Sequence, residues 1–139
     1  MAFSNQWGND VLRYFFNGVA IPSTYTGTNL YLSLHTADPG VGGTQNTSEI
    51  SYTGYARLPL VRNTTGEWTV SGKTVSNAIA RLFGQMTAGA GGVVTHAAVG
   101  ELVSGAGVLL ASGPVTPNIT VANGVQPNIV IGAAVLTLT

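Results

Sequence analysis

From Pro22 onward, apolar residues recur with a period of two, in short runs cut by Gly, Pro and Asn. Successive side chains of a strand point to opposite faces, so this period selects strands over helices. Leu30, Leu32 and Leu34 alternate with Tyr31, Ser33 and His35, which predicts a half-buried strand. Asp38-Pro39-Gly40 predicts the turn that ends it, because Pro sets φ and Gly tolerates a positive one. Residues 41–53 read as a polar, Gly-rich loop, and residues 55–62 resume alternation. Pro59 donates no hydrogen bond, so that strand belongs at an edge or a bulge. Thr64-Thr65-Gly66 and Gly72-Lys73 predict turns around strands at 67–70 and 74–76. Further strands are expected at 79–86, 93–99, 106–111, 119–122 and 127–138, with a flexible hinge at 88–92. Gly113-Pro114, Pro117-Asn118 and Asn123-Gly124 read as turns between them. Strands are thus expected from about residue 28 onward, in an all-β sandwich or barrel. No βα alternation is present to suggest a doubly wound sheet.

The exception comes first in the chain. Trp7, Val11, Phe15 and Gly18 share a stripe at helical spacing, flanked by Leu12 and Tyr14, which predicts one helix over about 5–17. Ser4 or Asn5 can cap its start, Asn17-Gly18 can stop it, and Ile21-Pro22 forbids continuation. Its rings, Trp7, Tyr14, Phe15 and Phe16, either plug one end of a β core or dock onto a partner.

With 139 residues, one core is the default. There is no cysteine, which removes disulfides and thiolate chemistry together. Only 7% of residues are charged and the formal net charge is zero. Ordinary domains carry about 25%, so this surface suits association better than colloidal independence. Nucleic-acid binding draws on clustered cations, whereas Arg13, Arg57, Arg62, Lys73 and Arg81 are scattered. Residues 129–138 form the most apolar segment and fall short of the roughly 20 a spanning helix needs. No membrane role is expected. The first ten residues lack the pattern of a signal peptide, which predicts synthesis in the cytosol.

No catalytic set emerges from the residues. Ser33, His35 and Asp38 lie close in sequence, but Asp38 falls in the turn, where its ordinary work is hydrogen-bonding backbone. His96 stands alone on an alternating strand, with Glu101 nearby. Two His and five acids spread along the chain predict no metal site and no cofactor. The Gly-rich runs at 40–43 and 89–92 lack the context of a phosphate-binding loop. Sequons at Asn46, Asn63 and Asn118 predict loop tips. Tyr25, Tyr31, Tyr52, Tyr55 and Trp68 can make a carbohydrate platform if exposed, and core rings if not. As a partner-binding surface, the residues single out Trp7, Tyr14, Phe15 and Phe16 of the helix and Tyr52 and Tyr55 of the loop.

Three stretches carry a resemblance: residues 30–40 (LYLSLHTADPG), 51–57 (SYTGYAR) and 95–100 (THAAVG). They resemble small virion proteins of tailed bacteriophages, in particular the cement (capsid-decoration) proteins known from a Bordetella bacteriophage. The resemblance implies a jelly-roll-like antiparallel β-sandwich without catalysis or cofactor. It implies a place on the outside of the virion capsid, made in the host cytoplasm, where it clamps neighbouring subunits of the major capsid protein. A two-fold homodimer, or another homo-oligomer, would grip two such subunits at once and gain effective concentration for the second contact. Related sequences carry tail-fibre labels, so an attachment or receptor- and carbohydrate-binding module stands as the alternative.

Overall fold

The computed structural model describes residues 1–63 and 66–137. The expected turn at Thr64-Thr65 and the end of the last expected strand, Leu138, lie outside them. The alternating runs resolve into antiparallel sheets, and among the described residues there is one α-helix, α1 (Asn5–Asn17). The Ser4 hydroxyl accepts the Trp7 N–H at 3.1 Å, which caps the helix start. Gly18 adopts the left-handed conformation with φ of 66°, and the Val19 N–H returns to the Arg13 carbonyl at 3.2 Å, closing the last turn.

In chain order the strands are β1 (Ala2–Phe3), β2 (Asn29–His35), β3 (Leu58–Val61), β4 (Trp68–Ser71), β5 (Thr74–Asn77), β6 (Arg81–Leu82), β7 (Gly92–Gly100), β8 (Leu109–Val121), β9 (Asn128–Ile129) and β10 (Val135–Thr137). One sheet runs β1-β8-β7-β2-β3, a second β10-β5-β4, and β6 pairs with β9. Among the described residues every strand pairing is antiparallel, from Leu32↔Val99 in the large sheet to Val75↔Leu136 in the small one. Leu32, Leu34, Leu60, Phe83, Val94 and Ile129 meet between the layers and are buried. The fold is an antiparallel all-β sandwich with a single N-terminal helix. β3 is an edge strand, as Pro59 requires.

Several local expectations are corrected. The runs 106–111 and 119–122 belong largely to one strand, β8, and the Gly113-Pro114 and Pro117-Asn118 pairs lie inside it. Beyond Ser112 no described strand pairs with the outer side of β8, so missing proline donors cost nothing there. Its ladder with β7 skips from Ile119 to Pro114, a bulge that takes up residues 115–118. Residues 79–86 contain only the two-residue β6, and 127–138 divide into β9 and β10 around a turn at 131–132. The expected hinge at 88–92 is pinned: Thr53 N–H donates to Ala88 O at 2.9 Å, and Thr87 N–H to Thr53 O at 3.0 Å.

From Leu32 to His35, β2 is buried on both faces, not one. The loop from Thr44 to Ile50 folds over its polar side. Thr36 N–H donates to Ser48 O at 2.8 Å and Ile50 N–H to Leu34 O at 2.9 Å.

Candidate functional site

Under that loop lies a polar cluster that joins Arg57, Asn46 and Tyr55 to Glu49 and Gln45, two residues the sequence did not single out. Arg57 donates to both oxygens of Glu49, from Nε at 2.7 Å and from Nη2 at 2.6 Å. The same guanidinium reaches Asn46 Oδ1, Leu102 O and Gly105 O at 2.8–3.0 Å. Tyr55 donates to Glu49 at 2.8 Å and accepts the Leu34 N–H at 3.1 Å. Gln45, wholly buried, bridges Leu102 by accepting its N–H at 2.9 Å and donating to its carbonyl at 3.1 Å. Only a glycine fits beneath it: a Cβ at Gly100 would stand 2.2 Å from the Gln45 side chain. Arginine's planar fork suits such multiple capture. The cluster ties residues 44–57 to the loop at 101–108.

Ser33 and His35 do meet, Oγ to Nε2 at 2.8 Å, and both are fully buried. His35 Nδ1 faces the Thr47 carbonyl at 2.8 Å, so it carries the proton and donates. Burial pushes the His35 pKa down, against the opposing pull of the Thr47 carbonyl and of Glu49. A neutral imidazole then accepts from Ser33. Asp38 takes no part; its Oδ1 accepts the Gly40 N–H at 2.9 Å in the turn. The pair is sealed from solvent and its Nδ1 is held by a carbonyl, so its observed work is to fill the polar face of β2. His96 Nδ1 lies 2.9 Å from Thr95 Oγ1, and the Glu101 carboxylate accepts the Val108 N–H instead of pairing with it. Among the described residues, no group of three or more His, Cys, Asp or Glu is placed to hold a metal.

The expected aromatic surface divides. Tyr52 and Tyr55 belong to the core, which corrects their placement on an exposed loop. Tyr52 is 8% exposed and donates to Gly84 O, while Tyr55 stacks on Phe83 at 6.0 Å. Burial raises the pKa of both phenols. Tyr25 is also buried and donates to Asp10 at 3.0 Å, and Tyr31 and Trp68 are half-buried. The tyrosine platform is therefore not on the surface. The hydroxyls of Tyr25, Tyr52 and Tyr55 find partners inside, which lets those rings be buried.

The helix behaves differently. Its first two turns are anchored: Ser4 N–H donates to Leu110 O, Asn5 N–H to Val41 O, and the Ser4 hydroxyl to Leu109 O. Trp7 stacks on Phe3 at 4.2 Å, and Asp10 is buried between Gln6 and Tyr25. Beyond Val11 the helix leaves the body. Leu12, Phe15 and Phe16 are 58%, 72% and 81% exposed, and Tyr14, set edge-on to Phe15, is 48% exposed. With Val19 just past the cap, positions 12, 15, 16 and 19 form a second apolar stripe that faces outward. Its spacing was present in the sequence, but the stripe through Trp7 and Val11 competes for the same residue, Phe15.

At the foot of the helix, between the large sheet and β4-β5-β10, lies a cavity of about 250 Å³. Phe3, Trp7, Leu30, Trp68 and Leu136 line it together with other apolar residues, and Arg62 is its one charged side chain among the described residues. An outward apolar stripe and an apolar cleft are features of a surface that packs against protein.

A family of phage virion proteins, described as podophage GP4 fiber I protein gp80, matches residues 2–137. The chain belongs to this family. It is a phage virion structural protein. No individual curated protein matches it. The match covers nearly the whole chain, helix and sheets alike.

Proposed function

We propose that the chain is a non-enzymatic joint of the virion, a rigid β-body that attaches by packing neutral and apolar surface, seated in the fibre apparatus. The observation that carries this reading is the helix stripe. Leu12, Phe15 and Phe16 stand in water on a body whose interior polar groups are otherwise well matched. Their exposed area, with Tyr14, is roughly 500 Å², near the top of what monomers leave uncovered. Membership of a fibre protein family supports that location.

The capsid clamp is the second reading, favoured by the resemblance at 30–40, 51–57 and 95–100. Those stretches form β2, its turn, the Arg57 cluster and β7. They speak for a shared sandwich more than for a shared address. In either place the partner is a larger virion protein: a fibre or tail component in the first reading, the major capsid protein in the second. Electron microscopy of virions separates them. Density for this fold at the tail in few copies supports the fibre reading; density over the shell at high copy number overturns it in favour of the clamp.

A further inference from the structure

We infer that the chain binds a second copy of itself head to tail, the helix end of one copy entering the apolar cavity at the helix foot of the next. Knob and hole are present on one molecule and cannot satisfy each other there. Trp7 forms part of the cavity wall, and Phe16 lies nine residues further along the same helix, about 13 Å away at 1.5 Å per residue. A straight capped helix cannot fold back over that distance, so the contact has to be between copies.

The sizes agree. A cavity of about 150 Å³ lined by apolar side chains takes up benzene, and this one, at about 250 Å³, has room for one phenylalanine ring with its Cβ. Phe16, at 81% exposed, is the ring with least to lose by moving in. The chemistry agrees as well. The helix carries two charged residues: Asp10, buried and hydrogen-bonded to Tyr25, and Arg13. The chain has no net charge to oppose contact between copies. Burying the stripe on one side and the cavity rim on the other removes about 1,000 Å² from water, the lower end for a specific contact. A single contact of that size is weak. A repeated one is not, because a heterologous contact propagates until it closes into a ring or extends as a filament. Its use in the virion rests on the reading above, but the contact itself is a property of the purified chain.

The test is sedimentation velocity on the full chain from about 1 μM to about 1 mM, a span that brackets weak association. The wild type is expected to associate with rising concentration. Phe15→Ser/Phe16→Ser removes the knob, and Ala134→Phe fills the hole. Leu136→Trp is a second hole-filling variant should the first not fold, with circular dichroism as the check. Each folded variant alone should remain monomeric. Mixed, the knobless and hole-filled chains retain one good knob and one good hole between them, and should form a one-to-one dimer and nothing larger. A wild type that stays monomeric overturns the inference. So does a folded hole-filled variant that associates like wild type, which would mean helix-to-helix pairing, and so does a mixture that stays monomeric. Normal self-association with no copy found in virions would leave this contact standing and sink the virion reading.

Discussion

The Arg57 cluster and the N-terminal helix invert the usual arrangement of polar and apolar groups. In the cluster, an arginine with 3% of its side chain exposed and a glutamate with 15% lie beneath a loop, surrounded by carbonyls, an amide and a phenol. On the helix, two phenylalanines stand in water. The difference shows that partners decide burial as much as polarity does. Every donor in the guanidinium fan that the cluster uses has an acceptor from its own chain, whereas the helix rings have none.

The two regions should therefore respond oppositely to mutation, and Arg57→Ala should show the largest effect. It strands Glu49 with Tyr55 as its remaining side-chain partner. Breaking a buried pair by removing one partner costs about 3–5 kcal/mol. Urea unfolding of the variant should show that loss; a change under about 1 kcal/mol would mean that solvent already screens the pair. Gln45→Ala comes next. It leaves the N–H of Leu102 without its partner, while the Leu102 carbonyl keeps Arg57, at about 1–3 kcal/mol. The same measurement checks it, and the variant should loosen amide protection at 101–108 ahead of the rest of the sheet.

A pH dependence should come from the same region. Burial lowers the His35 pKa in the folded chain, while the unfolded chain titrates near the ordinary value of about 6.5. Below that value the unfolded state binds the proton that the folded state refuses. The His35 contribution is therefore fully present above about pH 6.5 and is lost as pH falls toward the folded value, with a slope of at most about 1.4 kcal/mol per unit. Glu67, held low by hydrogen bonds from Arg81 and the Val61 N–H in spite of its partial burial, adds its loss only in the carboxylate range below. Melting curves from about pH 7.5 to 5.5 report His35, and curves from about pH 4.5 to 3 report Glu67, which separates the two. His35→Gln should flatten the upper part of the profile and leave the lower part unchanged.

Much of this architecture was legible in the sequence, and the misses have physical causes. Ser4, Gly18 and the aromatic spacing locate the helix because caps are local chemistry. Pro59 places β3 at an edge for the same reason. Strand count fails where continuity depends on a neighbour: Pro114 and Pro117 read as breaks until the outer side of β8 is seen to lack a partner there. The Arg57 cluster was invisible because Gln45 and Glu49 sit in a polar loop without a motif, and the Leu102 and Gly105 carbonyls lie 45 and 48 residues from Arg57 with no period to link them. Tyr52 and Tyr55 look like surface residues in a polar loop until that loop is folded onto β2. For the candidate surface, the sequence left the helix rings either to plug a β core or to dock onto a partner, and only the structure shows that Trp7 stacks on Phe3 while Tyr14, Phe15 and Phe16 are exposed.

The smallest effect on stability belongs to the helix, where the contrast is sharpest. Phe15→Ser/Phe16→Ser removes two large rings, yet neither ring is buried in the isolated chain. Surface changes of this kind move stability by about 0.5 kcal/mol or less. Loss of a core phenylalanine such as Phe83, fully buried, should cost about 3–5 kcal/mol. A large destabilisation from the helix variant would mean that its rings pack on the body after all. If instead the fold is untouched and attachment to virions is lost, apolar contact is what holds the chain in place. That contact should also ignore salt. Screening shortens to about 3 Å in 1 M salt, which dissolves a charge-driven joint but leaves buried apolar area unaffected or slightly strengthened. Virions washed in about 1 M sodium chloride should keep the wild-type chain. Release there, with retention in dilute buffer, would assign attachment to exposed cations such as Arg62 or Lys73 and take it away from the apolar stripe of the helix.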